Sequence, residues 1–127
     1  MTDYERVLDV FYSTIRNKHE LPEGLLRQWF RMACNDFELD IAPLEYNNET
    51  QMFVKSSGAI TNTLGLMMAK YFVKREQSRI NRLTSIVGRD LRLTSVGDSK
   101  RALQVEYESI LLEIEQKLYK QKTHTFN

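Results

Sequence analysis

The side chains that could ligate a metal or act as nucleophiles are few and scattered. His19, Cys34 and His124 stand far apart, with no HxxxH or CxxC spacing that would close a tetrahedral site, so neither a metal nor a cofactor is expected. Cys34 follows Met32 and Ala33 on an apolar helical stretch, and no histidine is placed by any pattern to activate it. It reads as a buried, inert thiol. Gly97-Asp98-Ser99-Lys100 has the outline of a phosphate loop, but the G-x-x-x-x-G-K-[ST] order is absent. Asp98 would also put a negative charge where the phosphate must sit, so the tetrapeptide reads as a capped turn. Glu106, Glu108, Glu113 and Glu115 are spread around one helix with no histidine nearby, as solvated charges or salt-bridge partners of another subunit would be. No catalytic residue is assigned, and the chain is read as a non-enzyme.

The remaining chemistry is electrostatic. Net charge is only +1, yet residues 1–69 carry 6 Lys/Arg against 10 Asp/Glu, a net of −4, while residues 70–101 carry 9 against 3, a net of +6. A molecule with an acidic half and a basic middle can attract copies of itself or present that middle to a polyanion. Arg79, Arg82, Arg89, Arg92, Lys100 and Arg101 are the residues expected to meet DNA or an acidic partner. Near-neutral pI and the lack of a recognition helix argue against sequence-specific reading.

The elements that must position these groups are helical. At 127 residues the chain is read as one domain able to bury a single core without disulfide or metal. The lone cysteine fits a reducing compartment, and neither a signal peptide nor a membrane span is apparent. The fold class is mainly α, a four-helix body at about 3–17, 22–38, 57–83 and 99–120. A short hairpin or loop is expected at 44–55, an extended segment at 84–98 and an extended tail at 121–127. Thr2 and Glu5 form a capping-box pattern ahead of helix 1, and Pro22 opens helix 2. These two closely joined amphipathic helices should pack as an antiparallel pair. The chain is organised around the third helix, apolar on nearly every side from Ala59 to Val73 and charged from Lys74 onward, so that its second half should leave the packed body. Asn47-Asn48 supplies the turn signal between Tyr46 and Met52.

The last helix carries two apolar seams. Leu103, Tyr107, Ile110, Leu111, Ile114 and Leu118 lie within about 100° of arc, whereas Val105, Leu112 and Tyr119 recur every seven residues on the opposite side. One seam can face the core. The other is expected to face a second polypeptide, which makes Val105, Leu112 and Tyr119, with Leu91 and Leu93 from the extended segment, the predicted subunit interface.

In the order and lengths of its elements the chain resembles the helical head-tail connector (adaptor) proteins of tailed bacteriophages. The likeness runs through LLRQWFRMACNDFELDI, a variable loop, MMAKYFVKREQSR, the basic GRDLRLTSVGDSK and the closing ALQVEYESILLEIEQKLYKQK. It implies a structural virion protein of the neck, made in the bacterial host cytoplasm. That protein forms a homo-oligomeric ring, a dodecamer, on the portal, extends the DNA channel and docks head-closure or tail proteins. It further implies that 84–98 reaches a neighbouring subunit or the channel, and that the tail with His124 and Phe126 is an arm for the portal or another partner. Two other classes remain: a small DNA-associated regulator using the basic 70–101 segment, and a generic helical interaction module.

Overall fold

The computed structural model describes the backbone of residues 1–15, 20–54, 56–87 and 94–124, and side chains over the same ranges except 83–87, 94–100 and 121–124. Four helices and a small antiparallel hairpin make up the described chain: α1 (Asp3–Ile15), α2 (Glu23–Asp40), β1 (Tyr46–Asn47), β2 (Met52–Phe53), α3 (Gly58–Val87) and α4 (Thr94–His124).

The N-terminus of α1 is built from both ends of the capping pattern. The Glu5 amide donates to Thr2 Oγ1 at 3.2 Å, and the Thr2 hydroxyl donates to Glu5 Oε1 at 3.2 Å. Two further first-turn amides, which a helix cannot satisfy internally, are taken by the hairpin: Tyr4 N–H donates to the Gln51 carbonyl and Asp3 N–H to the Met52 sulfur, each at 3.3 Å. The turn that presents these acceptors is organised by Asn47, whose side-chain oxygen receives the Glu49 amide at 2.8 Å and the Thr50 amide at 3.3 Å. It closes at Gln51 with φ of 57°, a left-handed conformation that a non-glycine residue holds only when its surroundings enforce it. The hairpin expected around Asn47-Asn48 is therefore present, paired Tyr46↔Phe53 and Asn47↔Met52.

Asp3 locks this corner. Its side chain is wholly buried, its Oδ2 accepts the Phe53 amide at 2.8 Å, and its Oδ1 accepts the Ser56 hydroxyl at 2.6 Å, with Arg6 at 3.7 Å. A buried carboxylate is costly unless it is hydrogen-bonded in this way.

The core is aromatic at one end and aliphatic at the other. Phe11, Trp29 and Phe72 meet edge-on or tilted with centroids about 6 Å apart, joining α1, α2 and α3. Tyr4 stacks edge-to-face on Phe30 at 5.0 Å and donates its hydroxyl to Glu23, while Tyr71 of α3 donates to the Asp36 carboxylate of α2. Burial pushes both phenols well above their ordinary range, and the carboxylate partners add to the effect.

Helices α1 and α2, expected as an antiparallel pair, are in contact through Tyr4 on Phe30 and Phe11 on Trp29, but their backbones approach less closely than those of α1 and α3. Among the described residues these helices meet only through large side chains, and the close neighbour of α1 is α3. Gly65 explains the preference. A Cβ there would lie 2.5 Å from Val10 Cβ and 2.9 Å from the Val7 carbonyl, so the missing side chain is what lets α1 settle onto α3.

Helix α3 is buried from Thr63 through Ala69 and again at Phe72 and Val73, as its all-round apolar sequence requires. Its charged half does not leave the body. Glu76 and Ile80 are buried, and α4 packs along α3 with Tyr107 near Glu76 and Arg79. Gln104 donates to Asn81 at 3.0 Å across the same contact.

The segment expected to be extended at 84–98 is mostly helical. Residues 84–87 complete α3 and 94–98 begin α4, leaving 88–93 outside the described residues. Alternation of Leu91 and Leu93 covers too few residues to set a period, and helix propagation past Gly97 costs only about 1 kcal/mol. The tail likewise continues as helix to His124, because Lys120, Gln121 and Lys122 are good helix formers with no breaker among them.

Candidate functional site

Among the described residues, the outer face of α4 carries an exposed apolar row. Ile110, Ile114 and Leu118 are buried against α3, with Tyr107 and Leu111 half-buried beside them. Leu103, assigned by its spacing to the same inner stripe, is 41 % exposed at the end of that contact. On the other side Val105, Leu112 and Tyr119 are 65 %, 57 % and 70 % exposed. These three share one face by their seven-residue spacing, flanked by the exposed Glu108 and Glu115. Scattered exposed leucines need no explanation, whereas a periodic apolar row on a long helix makes this face the candidate contact surface.

The predicted basic contacts divide. Arg79 is exposed but engaged: its guanidinium sits 2.6 Å from buried Glu76, which Arg75 approaches at 4.0 Å. Arg75 also lies over the Trp29 ring, 5.9 Å from its centroid. Two of the basic residues of the middle segment are thus engaged within the body, with Glu76 on their own helix and, for Arg75, with Trp29 of α2. Arg82 is exposed and donates to Ser78 Oγ at 3.4 Å, and Arg101 is exposed near the start of α4. With Lys74, Gln77, Ser78 and Asn81, Arg82 lines a shallow polar depression.

Other predicted positions are not brought into this surface. Arg89, Leu91, Arg92, Leu93 and Phe126 lie outside the described residues, as do the side chains of Lys100 and His124. Cys34 is half-buried and its thiol is pushed up to about 12, first by burial and then by the Glu38 carboxylate, which fits the inert reading. Among the described residues no group of three His, Cys, Asp or Glu stands close enough to hold a metal ion, and no helix is long and apolar enough to cross a membrane.

Sequence reasoning missed one surface. On α2, Met32 is 40 % exposed and Leu39 84 % exposed, and with half-buried Leu25 they too recur every seven residues. The signal was there to be found. Leu25 itself packs against the core, which leaves Met32 and Leu39 as the exposed apolar positions of that face. Near the end of α2 an apolar groove of about 360 Å³ is lined by Phe37, Leu44, Phe53, Val54 and Ile60.

Comparison of the chain with protein-family models, with characterised proteins and with solved structures finds no match.

Proposed function

We propose that the protein is a structural subunit of a tailed-phage neck, a head-tail connector that closes into a ring on the portal, extends the DNA channel and docks the next component of the tail. The observation that carries this reading is the outward seam Val105, Leu112 and Tyr119, an apolar row on a helix whose opposite side already satisfies the core. Its support in the sequence is the order and length of elements shared with that class.

On this reading the long α3–α4 pair is the wall of the ring, and its seam is one side of each subunit contact. Exposed Lys74, Arg82 and Arg101 sit on that same pair. They give the wall a positive charge that lets a DNA backbone pass without being read, since phosphate contact carries no sequence information.

The test is mass. The protein is measured alone and with portal by native mass spectrometry and by negative-stain imaging. A closed ring, formed alone or only on the portal, is the expected result; subunits of this kind can close only where a partner binds the closed form. A chain that neither rings nor binds portal, but shifts duplex DNA with a steep salt dependence, overturns the reading in favour of a DNA-associated regulator.

A further inference from the structure

We propose that the small pocket between α2 and the hairpin, where Arg31, Asn35 and Asn48 meet over Phe30 and Tyr46, binds a carboxylate carried on a short apolar stem. The inference goes beyond the neck reading and does not rest on it.

Helical spacing builds one wall. Arg27, Arg31 and then Cys34 with Asn35 stand three or four residues apart, so they share one face of α2. The hairpin supplies the other wall. Asn47 commits its side-chain oxygen to the Glu49 and Thr50 amides and so fixes the turn, which leaves the side chain of the next residue, Asn48, to line the opening. Between the walls is a pocket of about 130 Å³. Its floor is held by ring packing: Tyr46 meets Phe30 with centroids 5.0 Å apart, and Phe30 in turn sits edge-to-face with Tyr4.

The polar groups at this opening have nothing to bind within the chain. Among the described residues, no hydrogen bond or ion pair engages the side chains of Arg31, Asn35 or Asn48. Arg27, by contrast, is held 2.9 Å from Glu23 and 4.9 Å over the Tyr4 ring, yet its charge still reaches the Tyr46 phenol and opposes the rise that burial causes there. Among the described residues no carboxylate lines the pocket. Glu38, close enough to act on the Cys34 thiol, already accepts the Leu44 amide at 3.2 Å. The acidic half of the chain thus contains one place where cations gather without an anion.

The walls select the ligand. A guanidinium presents a planar fork that matches a carboxylate, and side-chain amides add neutral donors to the same oxygens. The volume excludes a nucleotide, since sites for such ligands begin at about 300 Å³. Phe30, Tyr46 and the Cys34 thiol offer apolar surface, which serves a methylene stem and does nothing for bare phosphate. A glutamate side chain and a small free carboxylic acid share this chemistry.

Residue-resolved NMR titration of the intact protein at constant ionic strength tests it. The probes are glutarate, inorganic phosphate and a tripeptide with one central glutamate and both ends blocked. Glutarate is expected to move the Arg31 Nε–H and the Asn35 and Asn48 side-chain amide signals together along one saturating curve, at about millimolar concentration. Phosphate should bind about fivefold more weakly. Arg31 is exposed, so Arg31→Gln should leave the thermal melt unchanged while weakening glutarate binding about tenfold. Arg31→Lys keeps the charge but loses the fork, and should recover only part of that loss. Unchanged affinity in Arg31→Gln, full recovery in Arg31→Lys, phosphate binding as tightly as glutarate, or shifts that spread over exposed lysines without saturating each overturn the proposal. The tripeptide identifies the source. Affinity equal to that of glutarate or better assigns the pocket to an acidic side chain of a protein, and binding of glutarate alone assigns it to a free acid. Ring closure on portal is read separately, so failure here leaves the neck reading where it stands.

Discussion

Leu112 and Ile114 sit two residues apart on α4, and the fold gives them opposite fates. Ile114 is completely buried between α4 and α3, whereas Leu112 is 57 % exposed on the outer seam. Truncating Ile114 to alanine removes buried methylenes and leaves a cavity, a loss of about 2–5 kcal/mol in folding stability. Truncating Leu112 costs the folded monomer little, because most of that side chain is already in water. Its effect belongs to assembly. Burying a whole leucine is worth about 2.5 kcal/mol, and the 57 % still available corresponds to about 1.4 kcal/mol, or tenfold in each subunit contact. Urea unfolding of dilute protein, combined with sedimentation across a concentration series, measures both quantities on both variants. Ile114→Ala should lower the urea midpoint. Leu112→Ala should leave that midpoint within about 0.5 kcal/mol of the parent and shift the association curve tenfold. If Leu112→Ala destabilises the monomer as Ile114→Ala does, the seam is covered from within; if it alters neither property, the outer row of α4 contacts nothing.

Gly65→Ala should destabilise the fold by about 1–3 kcal/mol despite alanine's better helix propensity, because the new methyl would stand 2.5 Å from Val10 Cβ. Thermal melts check this, and Val10→Ala should not rescue it, since the Val10 Cβ and the Val7 carbonyl both remain. Asp3→Ala should cost about 1–3 kcal/mol by leaving the buried Phe53 amide without an acceptor, and hydrogen exchange should show faster exchange at Phe53 than in α3. Alkylation of Cys34 at pH 8 should be slow in the folded protein and fast in denaturant, because burial holds the thiol near 12. A thiol raised from 9.0 to about 12 stabilises the fold below pH 9. That contribution is lost as pH rises toward 12, so the Cys34→Ser variant should show a shallower alkaline decline in stability than the parent.

What the sequence made legible was whatever rests on local period. Helices α1 to α4 were readable because Leu64, Met68 and Phe72, or Ile110, Ile114 and Leu118, repeat at helical spacing over many turns. The outer row of α4 was readable for the same reason, as a second repeat out of phase with the first. Boundaries were less readable. Nothing local marks where α3 stops beyond Thr84 to Val87 or α4 beyond Lys122 to His124, since helix formers without a breaker let an element already formed propagate. Long-range partners were not readable at all. Asp3 looks like an ordinary first-turn acid, and only the fold reveals that its carboxylate faces Phe53 and Ser56 some fifty residues away. Glu76 likewise reads as one acid in a basic run, yet it is the buried charge on which Arg75 and Arg79 converge.

That last pairing changes what the basic segment is for. A run of cations on a helix invites the assumption that all of them face a polyanion, but a guanidinium held 2.6 Å from a buried carboxylate is no longer a free charge. Among the described residues, the exposed cations of the segment left for an outside partner are Lys74 and Arg82, which share one shallow depression on α3, and Arg101 on α4. So few free cations attract a backbone weakly, which on the proposed reading suits a wall that DNA slides past and is a poor basis for gripping one site. The apolar rows have the opposite character. They act only at contact, and their spacing fixes a register. On the proposed reading, specificity therefore lies in the protein contact rather than in the charges.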